Sequence, residues 1–320
     1  MDLPDKPVRK AIRNPKAACR HVRERIEIQN PRLFARAINR KFYTRFGMWE
    51  YNRQGVDIFE EEWDNLIILD ACRLDLFEEV WDSRGQLNQK ISRGANTVEW
   101  LKANVRGRTL HNTVYITGNG QIHHQREQIQ PDFHDVIPIF AFGWNESSGT
   151  VNPEAVTREA IKAASEYPHK RLLIHYVQPH FPFIGADTEV DERPPGKRHY
   201  PFWERVFTGK YNISRQKLWN AYQQTLEITI PYVEELVKEL DGRTVISSDH
   251  GNMFGERPRP IPIREWGHPP GIYTRELVRV PWFVINDERR RVHSDEPKTW
   301  YGDLDRVSTE SKLKNLGYLS

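Results

Sequence analysis

Arg243-Thr244-Val245-Ile246-Ser247-Ser248-Asp249-His250-Gly251 is the stretch that opens the fold of this 320-residue chain to reading. Its apolar, β-branched centre has the composition of a strand buried on both faces. An Asp and a His then stand side by side at the strand's end, and Gly251 suits a sharp departure of the chain. A carboxylate oxygen beside an imidazole nitrogen suits a borderline divalent ion such as zinc or manganese. Far upstream, Leu66-Ile67-Ile68-Leu69-Asp70 repeats the arrangement, an apolar run ending in a carboxylate. Two strands that deliver such ligands at their C-terminal ends make a crevice of the kind found at the edge of parallel sheets. Taken singly, each piece has a plainer use: an Asp after a strand also caps helices, and an Asp-His pair also occurs on surfaces.

Further strands are expected at 113–117, 171–177 and 280–285, beside 65–70 and 243–248. Helices are expected at 73–81, 97–105, 153–166 and 214–240. Asn152-Pro153-Glu154 carries a cap, a first-turn proline and an early acid. Strands alternating with helices predict an α/β fold with a mostly parallel central sheet and helices on both faces. Two stretches rich in proline, 185–212 and 251–272, read as long loops over the crevice.

The composition is that of a folded chain, 38% hydrophobic with 10 Trp, 12 Tyr and 14 Phe. The two cysteines, Cys19 and Cys72, imply no disulfide framework. No apolar run reaches membrane-spanning length and no signal core opens the chain, so a cytoplasmic location is expected. Net charge is +3 but unevenly placed: residues 1–47 hold 13 Lys and Arg against 4 Asp and Glu, leaving 34 against 40 in the remainder. The expected organisation is therefore a basic N-terminal arm, 1–47, and a single α/β domain, 48–320. Within the arm, Asn30 and Pro31 open an amphipathic helix in which Phe34, Ile38, Phe42 and Phe46 recur at spacing four among Arg32, Arg36, Arg40, Lys41 and Arg45. Residues 31–47 thus suit an anionic membrane surface, at the inner face of the membrane; packing of the aromatic stripe on the body, with the arginines in water, is the alternative. No nucleic-acid motif accompanies the charge, and no nucleic-acid partner is expected.

Four motifs together resemble a known family. Asp70-Ala71-Cys72-Arg73-Leu74-Asp75 resembles the Asp-Asp-x-Arg-x-Asp metal motif of the sulfatase branch of the alkaline phosphatase superfamily, and Ser248-Asp249-His250-Gly251 resembles its second metal motif. His175-Tyr176-Val177-Gln178-Pro179-His180-Phe181-Pro182-Phe183 resembles the segment that faces substrate, and Glu276-Leu277-Val278-Arg279-Val280-Pro281-Trp282 the late strand entry. They fall in the family's order between residues 63 and 285. The Cys/Ser-x-Pro-x-Arg motif that yields a formylglycine nucleophile is absent, and Ala71 replaces the second Asp. Other branches of the superfamily use an unmodified Thr or Ser at a helix N-terminus. Here Thr97 stands at the start of the 97–105 helix, where the dipole and free N–H groups favour an anion. Ser92 is its competitor, and a plain capping role for Thr97 is the alternative.

The resemblance implies a metal-dependent hydrolase or transferase of phosphate or sulfate esters. Its metal ligands would be Asp70, Thr97, Asp249, His250 and His268, around zinc or manganese, with calcium as a further candidate. Its catalytic residues would be Thr97, His180 and Arg73, with His175 as an alternate to His180. Arg73 is expected either on an anionic ester oxygen or paired with Asp75 or a glutamate. The substrate ester would be a glycan or a lipid-linked molecule. Ala71 and the absent second-site Asp leave a non-catalytic, membrane-associated binding protein as the other reading. His111, His123, His124 and His134 have no metal-ligand spacing.

Overall fold

The computed structural model describes residues 30–82, 84–185 and 202–298. In chain order its elements begin with α1 (Pro31–Tyr43), β1 (Asn65–Asp70), α2 (Leu74–Val80), β2 (Gln86–Ile91), α3 (Thr97–Asn104) and β3 (Thr109–Thr117). Then come α4 (Gln121–His124), α5 (Arg126–Ile129), β4 (Asp132–Pro138), α6 (Ile139–Phe142), β5 (Trp144–Asn145), β6 (Thr150–Val151), α7 (Pro153–Glu166) and β7 (Arg171–Pro179). The chain closes with α8 (Phe202–Thr208), α9 (Arg215–Lys238), β8 (Thr244–Ser247), β9 (Met253–Phe254), β10 (Trp266–Gly267), α10 (Arg275–Val278) and β11 (Arg279–Asn286).

Seven strands form one sheet in the order β2-β11-β8-β1-β7-β3-β4. Every neighbouring pair is parallel except the two made by β11, which opposes both β8 and β2. This is the mostly parallel α/β sheet expected. Every residue of β1 is buried, and because successive side chains point to opposite faces, both faces of the sheet's centre are covered. The long helices α7 and α9 pack on each other and on β7. Leu218, Tyr222, Leu226 and Val233 of α9 are buried on one stripe, and Ser214 caps the helix through Lys217 N.

Several expectations need correction. Strands β2 and β4 were not expected: β2 is a polar edge strand whose pairing with β11 rests on its backbone. The stretch 185–212 is no continuous loop, since Phe202, Trp203, Val206 and Phe207 bury one side of α8; residues 186–201 lie outside the described residues. Within 251–272, β9 and β10 pair as a short antiparallel ribbon. The N-terminal helix opens as expected, with the Asn30 side chain accepting from Arg32 N, but ends at Tyr43, before Phe46. Its inner face differs too: Ala35 and Asn39 are buried, while Phe34, Phe42 and Phe46 are exposed. The reason is polar docking. Asn39 exchanges two hydrogen bonds with the Ile261 backbone, Arg36 pairs with buried Glu265 and stacks on Phe207, and these contacts set the helix's rotation. Among the described residues, no helix is long and apolar enough to cross a membrane. Cys19 and the basic arm before residue 30 lie outside the described residues.

Candidate functional site

The central strands end together, and their C-terminal ends carry the chemistry. β1 ends in Asp70, β8 is followed by Ser248-Asp249-His250, β7 by His180, and β3 by Asn119. Ala71, next after Asp70, has φ of 60°, a left-handed conformation that a β-carbon disfavours. Three neighbours hold that turn. Ala71 N–H donates to Asp249 Oδ1 at 3.1 Å, Cys72 N–H donates to Ser248 Oγ at 2.9 Å, and the Tyr222 hydroxyl donates to Ala71 O while accepting Arg73 N–H at 2.8 Å. The ends of β1 and β8 are thereby tied, and Asp70 faces Asp249.

Gly251 answers a different need from the sharp turn expected of it. Its φ is not in the left-handed region, but a β-carbon there would lie 2.0 Å from the Glu276 carbonyl oxygen. Gly251 N–H also donates to Leu277 O at 2.7 Å. The glycine lets the segment entering β11 press against the Asp-His motif, which joins two of the four motifs in space.

Asp70, Asp249 and His250 are fully buried and present ligand atoms that all lie within 4.8 Å of one another. His250 Nε2 is 3.5 Å from Asp70 Oδ1 and 3.4 Å from Asp249 Oδ2. His250 Nδ1 is 2.7 Å from the Gly251 carbonyl, which can only accept, so Nδ1 carries the proton and Nε2 turns its lone pair to the carboxylates. Thr97 Oγ1 lies 3.4 Å from the same Nε2. Thr97 is not the helix cap: Asn96 is, accepting Glu99 N–H at 3.0 Å, which leaves the buried Thr97 hydroxyl to the cluster. Ser92, its competitor, instead donates to Asp249 O and accepts Gly94 N–H.

Burial pushes the Asp249 carboxyl above the usual carboxylate range, while His175, two backbone N–H groups and the Thr97 hydroxyl pull it back. Burial pushes the His250 and His175 imidazoles down to about 4. Two carboxylates are therefore enclosed with neutral imidazoles. Asp249 Oδ2 and His175 Nε2, 3.8 Å apart, have no hydrogen-bond partner among the described residues. A buried carboxylate oxygen left this way is costly unless a cation or a donor meets it. Two buried carboxylates and an imidazole lone pair form a donor set able to hold a divalent metal ion.

His180 and His268 stand beside this cluster as a second group. Their Nε2 atoms are 2.8 Å apart, and the rings of His250 and His268 lie 4.8 Å apart. His180 Nδ1 donates to the Phe181 carbonyl, so its Nε2 presents a lone pair. A proton on His268 Nε2, or a cation in its place, must then stand between them. Burial and the adjacent imidazoles hold both residues well below the usual histidine range. His175 does not join this pair; its Nδ1 meets the Tyr115 hydroxyl at 2.7 Å and its Nε2 faces the two aspartates.

Arg73 is committed elsewhere. Its fork holds Asp75 through Nε and Nη2, and Nη1 donates to Glu256 and to the Asn252 carbonyl. Of its two expected uses, pairing with carboxylates is the one the structure shows, and it braces the segment that follows the Asp-His motif. Glu99 acts similarly: its carboxylate accepts from Ala95 N and Gly271 N, tying the start of α3 to the loop that carries His268. His111 pairs with Asp132 and His134 packs on Tyr167, apart from the cluster.

Asn119 was missed by sequence reasoning. It donates to Asp70 Oδ2 at 2.6 Å and is itself set by two bonds with Thr117 Oγ1. Its signal was position, a polar residue just past the C-terminal end of an expected parallel strand.

No family profile and no curated protein matches the sequence. Solved structures similar to this chain include the C-terminal periplasmic domain of EptC from Escherichia coli in complex with Zn, at 15% identity over 80% of this chain and 82% of that one, with a TM-score of 0.44. A 2-O GAG sulfatase is similar at 13% identity over 72% and 65%, with a TM-score of 0.43. An alkaline phosphatase superfamily protein from Vibrio parahaemolyticus is similar at 13% identity over 83% and 69%, with a TM-score of 0.42.

Proposed function

We propose that this chain is a metal-dependent enzyme of the sulfatase-like branch of the alkaline phosphatase superfamily, which cleaves or transfers phosphate or sulfate esters through Thr97. One observation carries the reading: a hydroxyl at a helix start, excused from capping, lies 3.4 Å from the imidazole nitrogen that faces two buried carboxylates. Asp70, Asp249, His250 and Thr97 would hold the ion, with zinc or manganese favoured by the donor set and calcium less suited to the imidazole. When bound, the ion would neutralise the aspartates, lower the hydroxyl's pKa and draw charge from the ester's anionic oxygens.

The chain's own residues supply the rest. The N-terminal end of α3 favours the anionic group beside Thr97. Thr97, its hydroxyl proton passed to the Asp249 carboxylate it faces or to water, would form the bond to phosphorus or sulfur through Oγ1 as the bond to the leaving oxygen breaks. His268, with a proton on Nε2, or water would then protonate that oxygen. Water or a second alcohol then takes the group from Thr97, and this acceptor alone distinguishes hydrolysis from transfer. The substrate class proposed is a glycan or lipid-linked ester.

The test is elemental analysis of the purified protein with turnover of an aryl phosphodiester, a monoester and an aryl sulfate. Thr97→Ala should keep the ion and lose roughly 1,000-fold or more in turnover. Asp249→Ala should lose both. No stoichiometric metal and no turnover after metal is restored would overturn the proposal.

A further inference from the structure

We infer that the turn closing α1, residues 44–48, together with the outer side of that helix, is a docking surface for an anionic lipid bilayer. Exposed large apolar side chains are ordinary when scattered and informative when gathered. Of the six among the described residues, four lie here: Phe34, Phe42, Phe46 and Met48, with Phe46 81% and Met48 74% exposed.

The display is built into the backbone. Arg45, Phe46 and Gly47 lie consecutively in the left-handed region, at φ of 51°, 61° and 91°. Two of the three carry side chains that resist it. Phe46 N–H to Lys41 O at 2.6 Å, Gly47 N–H to Thr44 O at 3.1 Å and Trp49 N–H to Thr44 O at 3.0 Å hold the turn. The Thr44 hydroxyl donates to Arg40 O and accepts Gly47 N–H. A strained, fully bonded turn thus holds a phenylalanine and a methionine in solvent.

Charge decides the occupant. Lys41 and Arg45 are exposed beside these side chains, and no Asp or Glu occurs between residues 28 and 49. Aromatic and thioether groups ringed by long basic side chains match an interface with anionic headgroups above and acyl chains below. A second copy of the chain would set like charges face to face. The inner face of α1 is meanwhile fixed to the body by Arg36 with Glu265, Asn39 with Ile261, and Tyr43 Oη with Arg259 N. Docking would therefore hold the loop that carries His268 near the lipid surface. The inference does not depend on the chemistry proposed for Thr97.

The experiment is co-sedimentation of the full chain with vesicles of phosphatidylcholine alone and with about 30% phosphatidylglycerol, at roughly 0.1 M and 0.5 M salt. The expected result is binding at least about tenfold tighter to the anionic vesicles, weakened by salt. Phe46→Glu/Met48→Glu should lower that affinity roughly tenfold or more with an unchanged melting temperature and unchanged metal content. Lys41→Glu/Arg45→Glu should lower it by a similar factor. Absence of binding by the unaltered chain overturns the inference. So does equal binding by Phe46→Glu/Met48→Glu, which would assign adhesion to another basic segment. Vesicle-independent dimerisation abolished by the same variant also overturns it.

Discussion

Asp249→Asn should stabilise the metal-free protein and destabilise the metal-loaded one. Asp249 Oδ1 accepts two backbone N–H groups, from Ala71 at 3.1 Å and His250 at 2.9 Å, and an amide oxygen keeps both. Oδ2 lies 3.4 Å from His250 Nε2 and 3.8 Å from His175 Nε2. An amide NH₂ in its place would face those nitrogens as a donor. The substitution is therefore nearly isosteric and removes one enclosed negative charge. Isolated buried charges cost several kcal/mol, and the two backbone donors already offset much of that, so a gain of about 1–2 kcal/mol is expected. For a chain of this size that is roughly 1.5–3 °C in melting temperature. In the unaltered protein, metal at about 100 times its Kd should add about 2.7 kcal/mol, and the Asp249→Asn variant should forfeit most of it because an amide is a poor ligand for a divalent ion. Thermal unfolding with chelator and with added zinc should show the two proteins exchanging rank. A variant less stable than the parent in chelator, or one that gains as much from zinc, would refute the account of an enclosed carboxylate waiting on a cation.

Two further outcomes follow from the same geometry. Tyr222→Phe removes the hydroxyl that serves Ala71 O and Arg73 N together; two buried backbone groups lose a partner, at about 2–4 kcal/mol, read as a lower denaturation midpoint with unchanged m-value. In chelator-treated protein, the depressed His175 and His250 make stability fall with acidity. Their folded pKa of about 4 lies below the ordinary value of 6.5, so the unfolded chain binds more protons, and stability is lost as pH falls from about 6.5 toward 4. Asp249, shifted upward, opposes part of this loss at the acid end. Melting temperatures that stay level from pH 7 to pH 5 would contradict it.

The central strands were legible because they are buried on both faces and so must be apolar throughout; β1 was expected at 65–70 and runs from Asn65 to Asp70. Helix α7 was equally plain, its cap, proline and periodicity all pointing to 153–166. The edge strands β2 and β4 were not, since one side of an edge is wet and its pairing rests on backbone groups common to all residues. Asp70, Thr97, Asp249 and His250 could be named from their places at strand and helix ends, a local property. Their convergence was implied only by the resemblance of the motifs, because it depends on which strands are neighbours.

What the sequence determined by itself is therefore the type and placement of elements, and which of them end in groups able to bind a cation. Periodicity and end residues are written into consecutive positions. Only the tertiary structure decided how those groups are used. It gave Arg73 to Asp75 and Glu256, freed Thr97 by making Asn96 the cap, and made Gly251 a point of close backbone approach. It also turned the aromatic side of α1 outward, because Arg36 and Asn39 found partners about 220–230 residues away that no local pattern could foresee. Competition between such distant partners is settled by packing and desolvation in three dimensions, and that sum is not carried by any one stretch of chain.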